Sequence, residues 1–372
     1  MPYGHPVRIV HVSDCYAPRT GGMETQVRAL AHQQVKAGHV VTVITATPGR
    51  SPEESDGTVG VIRITAPVPG DLPVHPRARA AIAARLSEIK PDVVHVHLGE
   101  ISPFAWGGVR AVRQLGLPRV ATVHSVWSPL MRGLLAPLGR TWARSPTVMS
   151  AVSGMSAERV SASLGVEVHV LPNGIDTDVW HPRAQHAHSG VRFIAVQRLA
   201  PRKRTGALVR AFAAASSGDS SMHLEVIGDG PARARLERRV RAWGREDAIT
   251  FRGRVTPEEI RAAFAGSDVF VQASRRESFG IAALEARASG LPVIAYGESG
   301  TADFITSDLN GILVSDDAEL ARAIGFMGRD ASVRSRLTAY ARIVPVEQSW
   351  QTVVPGVDDL YARAVSAIRL PR

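Results

Sequence analysis

A chain of 372 residues, 45% of them apolar, is too long for one ordinary core and too apolar to be disordered, so two domains are expected. Cys15 is the only cysteine, which excludes disulfides within the chain and a thiolate zinc site. No apolar run reaches the roughly 18–20 residues of a membrane span, and the chain enters a strand-like VRIVHVS too early for a signal peptide, so a soluble, cytoplasmic protein is expected. The formal charge of +10 is nearly all arginine, with lysine only at Lys36, Lys90 and Lys203, and it is spread over both halves. That pattern suits an anionic small substrate or an anionic membrane surface. Nucleic acid is not expected as a partner, because no zinc finger, ribonucleoprotein motif or aromatic-basic repeat accompanies the charge.

In the first half the strand-like runs are VRIVHV, HVVTVITA, VGVIRI, PDVVHVH, RVATVH, TVMSAV and EVHVL. Unbroken Val/Ile runs of this kind mark strands buried on both faces. The first leads through DCYAPRTGGMETQ into a helix starting near Met23, with Val27, Leu30, Ala31 and Val35 on one face and Gly38 as its stop. Gly21-Gly22 at that turn lets backbone N–H groups and a positive helix end approach an anion; an ordinary turn is the alternative. GGMETQ lacks the glycine spacing of the dinucleotide fingerprint. Cys15, just ahead of it, has no activating partner in view and reads as a packed thiol. His95 and His97 share a face of their strand and with His124 could hold zinc, although histidines at strand ends beside a polar crevice are the simpler reading. The segment WSPLMRGLLAPLGRTWAR, residues 127–144, mixes apolar and arginine positions, which suits either peripheral contact with an anionic membrane or packing against the first sheet.

A Pro-, Gly-, Asn- and His-rich stretch at 171–190 marks the domain boundary, placed after residue 178. Its Asp176-Thr177-Asp178 reads as part of a turn rather than a metal motif. The second half repeats the scheme with VRFIAVQ, HLEVIG, AITFRG, VFVQAS, PVIAY and GILV, giving a second parallel α/β sheet over 179–349. After VRFIAVQ come Arg198, Arg202, Lys203 and Arg204, a cluster suited to a diphosphate because arginine forks phosphate oxygens and lysine acts as a point charge. GDGPAR at 228–233 opens like the dinucleotide fingerprint but has Arg233 in place of the third glycine, and no phosphate loop of the GxxxxGK[ST] type occurs. After VFVQAS, the stretch RRESFGIAALE makes a turn and starts a helix around Ile281. Glu285, one turn in, could accept from ribose hydroxyls, and Glu277 from hydroxyls of a sugar beyond the phosphates; an acid–base carboxylate pair is the rival reading. The last segment, about 350–372, reads as a helix broken around Pro355 and free to pack back on the first domain.

Taken together, GGMETQ, HVH, TVHS, LPNGIDTDVW, RLAPRKR, VIGDGP, FRGRV and ESFGIAALE resemble the family-4 retaining glycosyltransferases of the GT-B fold, with Glu277 and Glu285 matching their E-x7-E signature. The resemblance covers nearly the whole chain and implies two Rossmann-like doubly wound domains facing across a cleft. It implies a transferase that moves a sugar from a UDP- or GDP-linked nucleotide-sugar donor to a hydroxyl acceptor, with retention and without a metal or other cofactor. It places Arg198 and Lys203 on the diphosphate and Gly22 near the phosphates. Glu277, Phe279, Gly280, Ile281 and Glu285 fall on the donor sugar and nucleoside, and His124 beside the reacting centre. Gln197 stands where the family often has glycine, and Asp303 takes the acidic position of SGTADF. A nucleotide-sugar epimerase, a phosphorylase or a non-catalytic binder would use the same fold; a pyridoxal-dependent phosphorylase would also need a Schiff-base lysine, and Lys203 is the only lysine of the second half.

Overall fold

Valine and isoleucine run unbroken where the strands form, and the computed structural model, which describes residues 6–66, 74–128, 130, 133, 146–184 and 188–369, gathers them into two sheets. The first contains β1 (Arg8–Ser13), β2 (Val40–Thr45), β3 (Glu53–Asp56), β4 (Val59–Arg63), β5 (Val93–Leu98), β6 (Arg119–Val123), β7 (Thr147–Ala151) and β8 (Val168–Val170), in the order β3-β4-β2-β1-β5-β6-β7-β8. All neighbours are parallel except β3, which runs antiparallel to β4 at the edge. β3 reads EESD, with no apolar pattern that a sequence could betray. It forms because the chain turns straight back at Gly57, whose φ of +61° suits a tight hairpin.

Helices cover both faces. On one lie α1 (Gly22–Lys36) and the C-terminal helix α11 (Trp350–Arg369), which bury Val27, Leu30, Ala31, Val353, Val357 and Tyr361 against Ile9, Val43, Val93 and Val120. On the other lie α2 (Ala78–Ile89), α3 (Pro103–Gln114) and α4 (Gly154–Leu164). The expected break at Pro355 does not occur: α11 runs through it as one helix of 20 residues. Proline there removes only the N–H that would bond to the carbonyl of Gln351, and both residues are exposed, so water can satisfy that carbonyl.

The second sheet, β9 (Val191–Val196), β10 (Met222–Ile227), β11 (Ile249–Gly253), β12 (Val269–Gln272), β13 (Val293–Tyr296) and β14 (Gly311–Val314), is wholly parallel in the order β11-β10-β9-β12-β13-β14. One face carries α5 (Thr205–Ala215) and α9 (Asp317–Arg329); the other carries α7 (Pro257–Ala265) and α8 (Ile281–Ala288), with α6 (Arg233–Ala242) and α10 (Ala331–Ile343) completing the unit. The chain thus forms two compact units, one ending at Gly174 but including α11, the other Ile175–Ser349. The change-over precedes residue 178 because Ile175 already pairs with Ser349 and donates its N–H to the carbonyl of Gln348. No helix among the described residues is long and apolar enough to cross a membrane.

Candidate active site

In the second unit the chain winds outward from β9 to β10 and β11 on one side and from β12 to β13 and β14 on the other. Ligands of doubly wound sheets lie beyond the carboxyl ends of the strands at such a switch point, and here the loops after β9 and β12 meet. The loop after β9 is shaped by close backbone packing. Gln197 N–H bonds to Ile227 O at 3.0 Å and Leu199 N–H to Asp229 O at 2.9 Å. Gly228, at φ +124°, brings its Cα so near that a Cβ would stand 2.0 Å from Gln197 O. The first glycine of GDGPAR therefore serves to seat the strand end that carries Arg198. Gln197 spans from that end to α5, donating from Nε2 to Thr205 Oγ1 at 3.0 Å.

The four cations of this loop take different roles. Arg198 is exposed, and its guanidinium makes no hydrogen bond or ion pair among the described residues. Arg204 is held instead by both oxygens of Asp317, at 2.6 and 2.7 Å, over the ring of Tyr296. Arg202 is exposed. Lys203 crosses the switch point: its Nζ lies 2.6 Å from Glu277 Oε2, on the loop after β12. The same oxygen accepts from Gln272 Nε2 at 2.8 Å, so Oε1 carries neither bond. Glu277 is only 8% exposed, and Lys203 supplies its counter-charge. The sequence thus separated two residues that the structure pairs, and it did not mark Gln272, a buried polar residue at the end of a Val/Phe strand.

Beyond Glu277 the chain must reverse into α8. Gly280 makes that turn at φ +96°, where a Cβ would also meet Thr301 Oγ1 at 2.6 Å. Ile281 is the first residue of α8, so the unsatisfied N–H groups of that helix begin here. The Phe279 ring does not offer a binding surface: it is buried, 5.3 Å from Phe304, leaving only backbone to a ligand. Glu285 is half-buried and its carboxyl makes no hydrogen bond among the described residues; burial pushes its pKa up to about 8. A carboxyl without a protein partner so close to a helix start is available to hydroxyl donors. A separate groove lined by Arg192, His223, Asp247 and Arg252 lies at the amino ends of β9–β11, the opposite edge from these loops.

In the first unit the switch point falls between β1 and β5. α1 follows β1 and begins at Gly22, which is exposed; its cap, Gly21, is extended at φ −179°, a conformation any residue adopts. The strand period of two sets His11 beside Ile9, His95 and His97 beside Val93, Thr122 and His124 beside Val120, all on the face that α1 and α11 cover. His95 and His97 are buried, and with Gln26, Thr122, His124 and Asn173 they line a small pocket under α1 and α11. His124 is half-buried, with Nε2 2.9 Å from His97 Nδ1, and burial lowers its pKa to about 4. Among the described residues one group has the spacing to hold a metal ion, and it contains His11, not His124, beside His95 and His97. All six of its ring nitrogens already have hydrogen-bond partners. The packed-thiol reading fits Cys15, which is buried and whose pKa burial raises to about 11. The segment 127–144 falls mostly outside the described residues; within it Trp127 is buried and Leu130 exposed.

Two parallel α/β units with loops converging at each switch point define a class, the GT-B transferase fold, and known proteins narrow it. Residues 20–179 match the model of Glycosyltransferase Family 4, and residues 176–344 that of Glycosyl transferases group 1. A GDP-mannose-dependent alpha-mannosyltransferase from Corynebacterium glutamicum is 30% identical over 97% of this chain and 90% of its own. A GDP-mannose-dependent alpha-(1-6)-phosphatidylinositol dimannoside mannosyltransferase from Mycobacterium tuberculosis is 28% identical, over 86% of this chain and 87% of its own. Among solved structures, sucrose-phosphate synthase from Thermosynechococcus elongatus superposes with a TM-score of 0.77 at 20% identity, covering 97% of this chain and all of that one. The chain belongs to the family-4 glycosyltransferases of the GT-B fold, and it is an enzyme of that transferase class.

Proposed function

We propose that the enzyme moves a hexosyl group from a nucleoside-diphosphate sugar to a hydroxyl of a glycan, lipid or small-molecule acceptor, with retention at the anomeric carbon. The observation that carries this reading is the second-unit switch point. There the only lysine of that half crosses to a buried glutamate, while Arg198 lies exposed and the carboxyl of Glu285 follows a helix start, neither with a hydrogen-bond or ion-pair partner among the described residues. Arg198 and Lys203 take the diphosphate, and the first N–H groups of α8 add fixed positive dipole, so charge developing on the leaving group meets donors already in place. Glu285 accepts from the ribose hydroxyls, and Glu277 offers Oε1 to a hydroxyl of the transferred sugar. Tied to Lys203 and Gln272 through its other oxygen, Glu277 binds sugar rather than attacking it. The leaving phosphate then accepts the acceptor's proton, and the acceptor enters from the same face. The family resemblance assigns Gly22 to the phosphates and His124 to the reacting sugar.

The reading favours a GDP-linked donor over a UDP-linked one, because both relatives named above are GDP-mannose-dependent. With cationic side chains on the diphosphate, transfer proceeds without a metal ion. Incubation with GDP-mannose, UDP-glucose and UDP-N-acetylglucosamine, with and without EDTA, tests both points by nucleotide release. Proton NMR of the product reads its anomeric configuration. Release of GDP in EDTA with an α-linked product is expected; release from none of the donors across a panel of alcohol acceptors, or a β-linked product, contradicts the reading.

A further inference from the structure

A left-handed backbone presses Cβ against the following carbonyl oxygen, so residues other than glycine rarely adopt it. Among the described residues three do: Lys90, Arg204 and Asp308, at φ +53°, +56° and +65°. Lys90 closes the 12-residue α2, where this conformation is common, and Asp308 has a short polar side chain that tolerates it. Arg204 is different. It joins the single 3₁₀ turn Pro201–Lys203 to the start of α5. Its backbone serves both sides of that junction: its N–H bonds to Pro201 O at 3.1 Å, and its carbonyl accepts from Ala207 at 2.8 Å and Leu208 at 3.2 Å. The course of the loop at Lys203 is thus set one residue on, at a backbone angle that arginine does not favour.

Two distant side chains hold that arginine. Its Nη2 lies 2.6 and 2.7 Å from the two oxygens of Asp317, the first residue of α9. Tyr296, at the end of β13, donates its hydroxyl to Asp317 Oδ1, and Arg204 Cζ stands over its ring, 5.5 Å from the centroid. Arg275 stands over the same ring at 5.4 Å and pairs with Glu298, two residues ahead of Glu277 in the chain. One buried ring therefore braces both loops that meet in the Lys203–Glu277 pair.

We infer that Arg204 is a positioning residue: Asp317 and Tyr296 hold it in the left-handed conformation, and that conformation brings Lys203 across the switch point to Glu277. The consequence for the donor rests on the assignment of Lys203 to the diphosphate proposed above. The placement of Lys203 does not, and it can be read without a ligand.

The chain has three lysines, so acetylation of the full chain followed by mass spectrometry reads Lys203 against Lys36 and Lys90, which are both exposed. In the unsubstituted chain Lys203, engaged by Glu277, is expected to react slowest. Arg204→Ala keeps a Cβ at the strained angle and loses the contacts that hold it there. The left-handed cost shifts the loop equilibrium about 5- to 30-fold, and acetylation of Lys203 relative to the other two is expected to rise by about the lower factor. Arg204→Gly loses the same contacts but has no Cβ to strain, so Lys203 is expected to react as in the unsubstituted chain. Asp317→Ala should raise the reactivity of Lys203 when Arg204 is present and leave it unchanged in Arg204→Gly; this pair carries the test if Arg204→Ala does not fold. GDP affinity by calorimetry should follow the same order, falling in Arg204→Ala and recovering in Arg204→Gly. Lys203 reacting as fast as Lys36 and Lys90 in the unsubstituted chain overturns the inference, as does an unchanged rate in folded Arg204→Ala. An equal rise in Arg204→Ala and Arg204→Gly also overturns it, because the guanidinium and not the backbone angle would then hold Lys203. If Lys203 reactivity follows the expected order while GDP affinity stays constant, the positioning role stands and the diphosphate assignment of Lys203 fails.

Discussion

Replacing Lys203 by methionine keeps most of its stem and removes its charge, which separates its two assigned tasks. Its Nζ stands 2.6 Å from Glu277 Oε2, and Glu277 is 8% exposed, so the substitution leaves a nearly buried carboxylate with one bond, from Gln272. A charge-assisted hydrogen bond is worth about 1.5–3 kcal/mol. The surviving Gln272 bond keeps the loss of stability near that range rather than the larger cost of an isolated charge. The same range applied to a lost phosphate contact weakens GDP binding roughly 10- to 150-fold. Denaturant unfolding reads the first effect and titration calorimetry with GDP the second. Glu277→Gln separates them: if Lys203 serves only to neutralise Glu277, Lys203→Met costs no affinity in that background, whereas a phosphate role preserves the loss. GDP affinity within twofold of the parent in both backgrounds would refute the assignment of Lys203 to the diphosphate.

Other outcomes follow from single groups. Glu285 keeps its proton in the folded chain up to about pH 8, while an unfolded glutamate loses it near 4.5. Stability should therefore fall as pH rises between those values, and Glu285→Gln should flatten that slope in pH-dependent unfolding. If ribose hydroxyls donate to the carboxylate, GDP affinity should rise toward pH 8 in the parent and not in Glu285→Gln. Two histidines act with the opposite sign: unfolded they gain protons below about pH 6.5, while folded His11 and His124 resist until about 4. Each should remove stability at up to about 1.4 kcal/mol per pH unit as the solution is acidified through that window, which acid unfolding curves can follow. Gly280→Ala should cost about 1–3 kcal/mol, because its φ of +96° is strained for any side chain and its Cβ would meet Thr301 Oγ1; a thermal melt within one degree of the parent would contradict this.

Much of the scaffold was legible because local signals matched global ones. Val/Ile runs gave the buried strands, and the Glu-Ser-Phe-Gly turn gave the start of α8 at Ile281. What escaped were features set by distant chain. β3 has no apolar period and exists through its hairpin with β4. Pro355 seemed to break the last helix, but its place on an exposed face lets the helix continue. Nothing in the strand of His95 announces that Tyr361, 266 positions further on, bonds to its ring. Gln26 and Gln34, polar residues on the apolar face of α1, were the available signal of a buried polar network. At the candidate site the structure divides the basic cluster by contacts with distant residues. Asp317, 113 positions from Arg204, draws that arginine aside, while Lys203 turns to Glu277.

A crystal structure with a bound GDP-sugar bears most directly on the central assignment. The expected result is a diphosphate against Lys203, Arg198 and the first N–H groups of α8, with the ribose on Glu285. A diphosphate bound away from Lys203, with the Lys203–Glu277 pair intact and Glu285 facing no ligand atom, would contradict it.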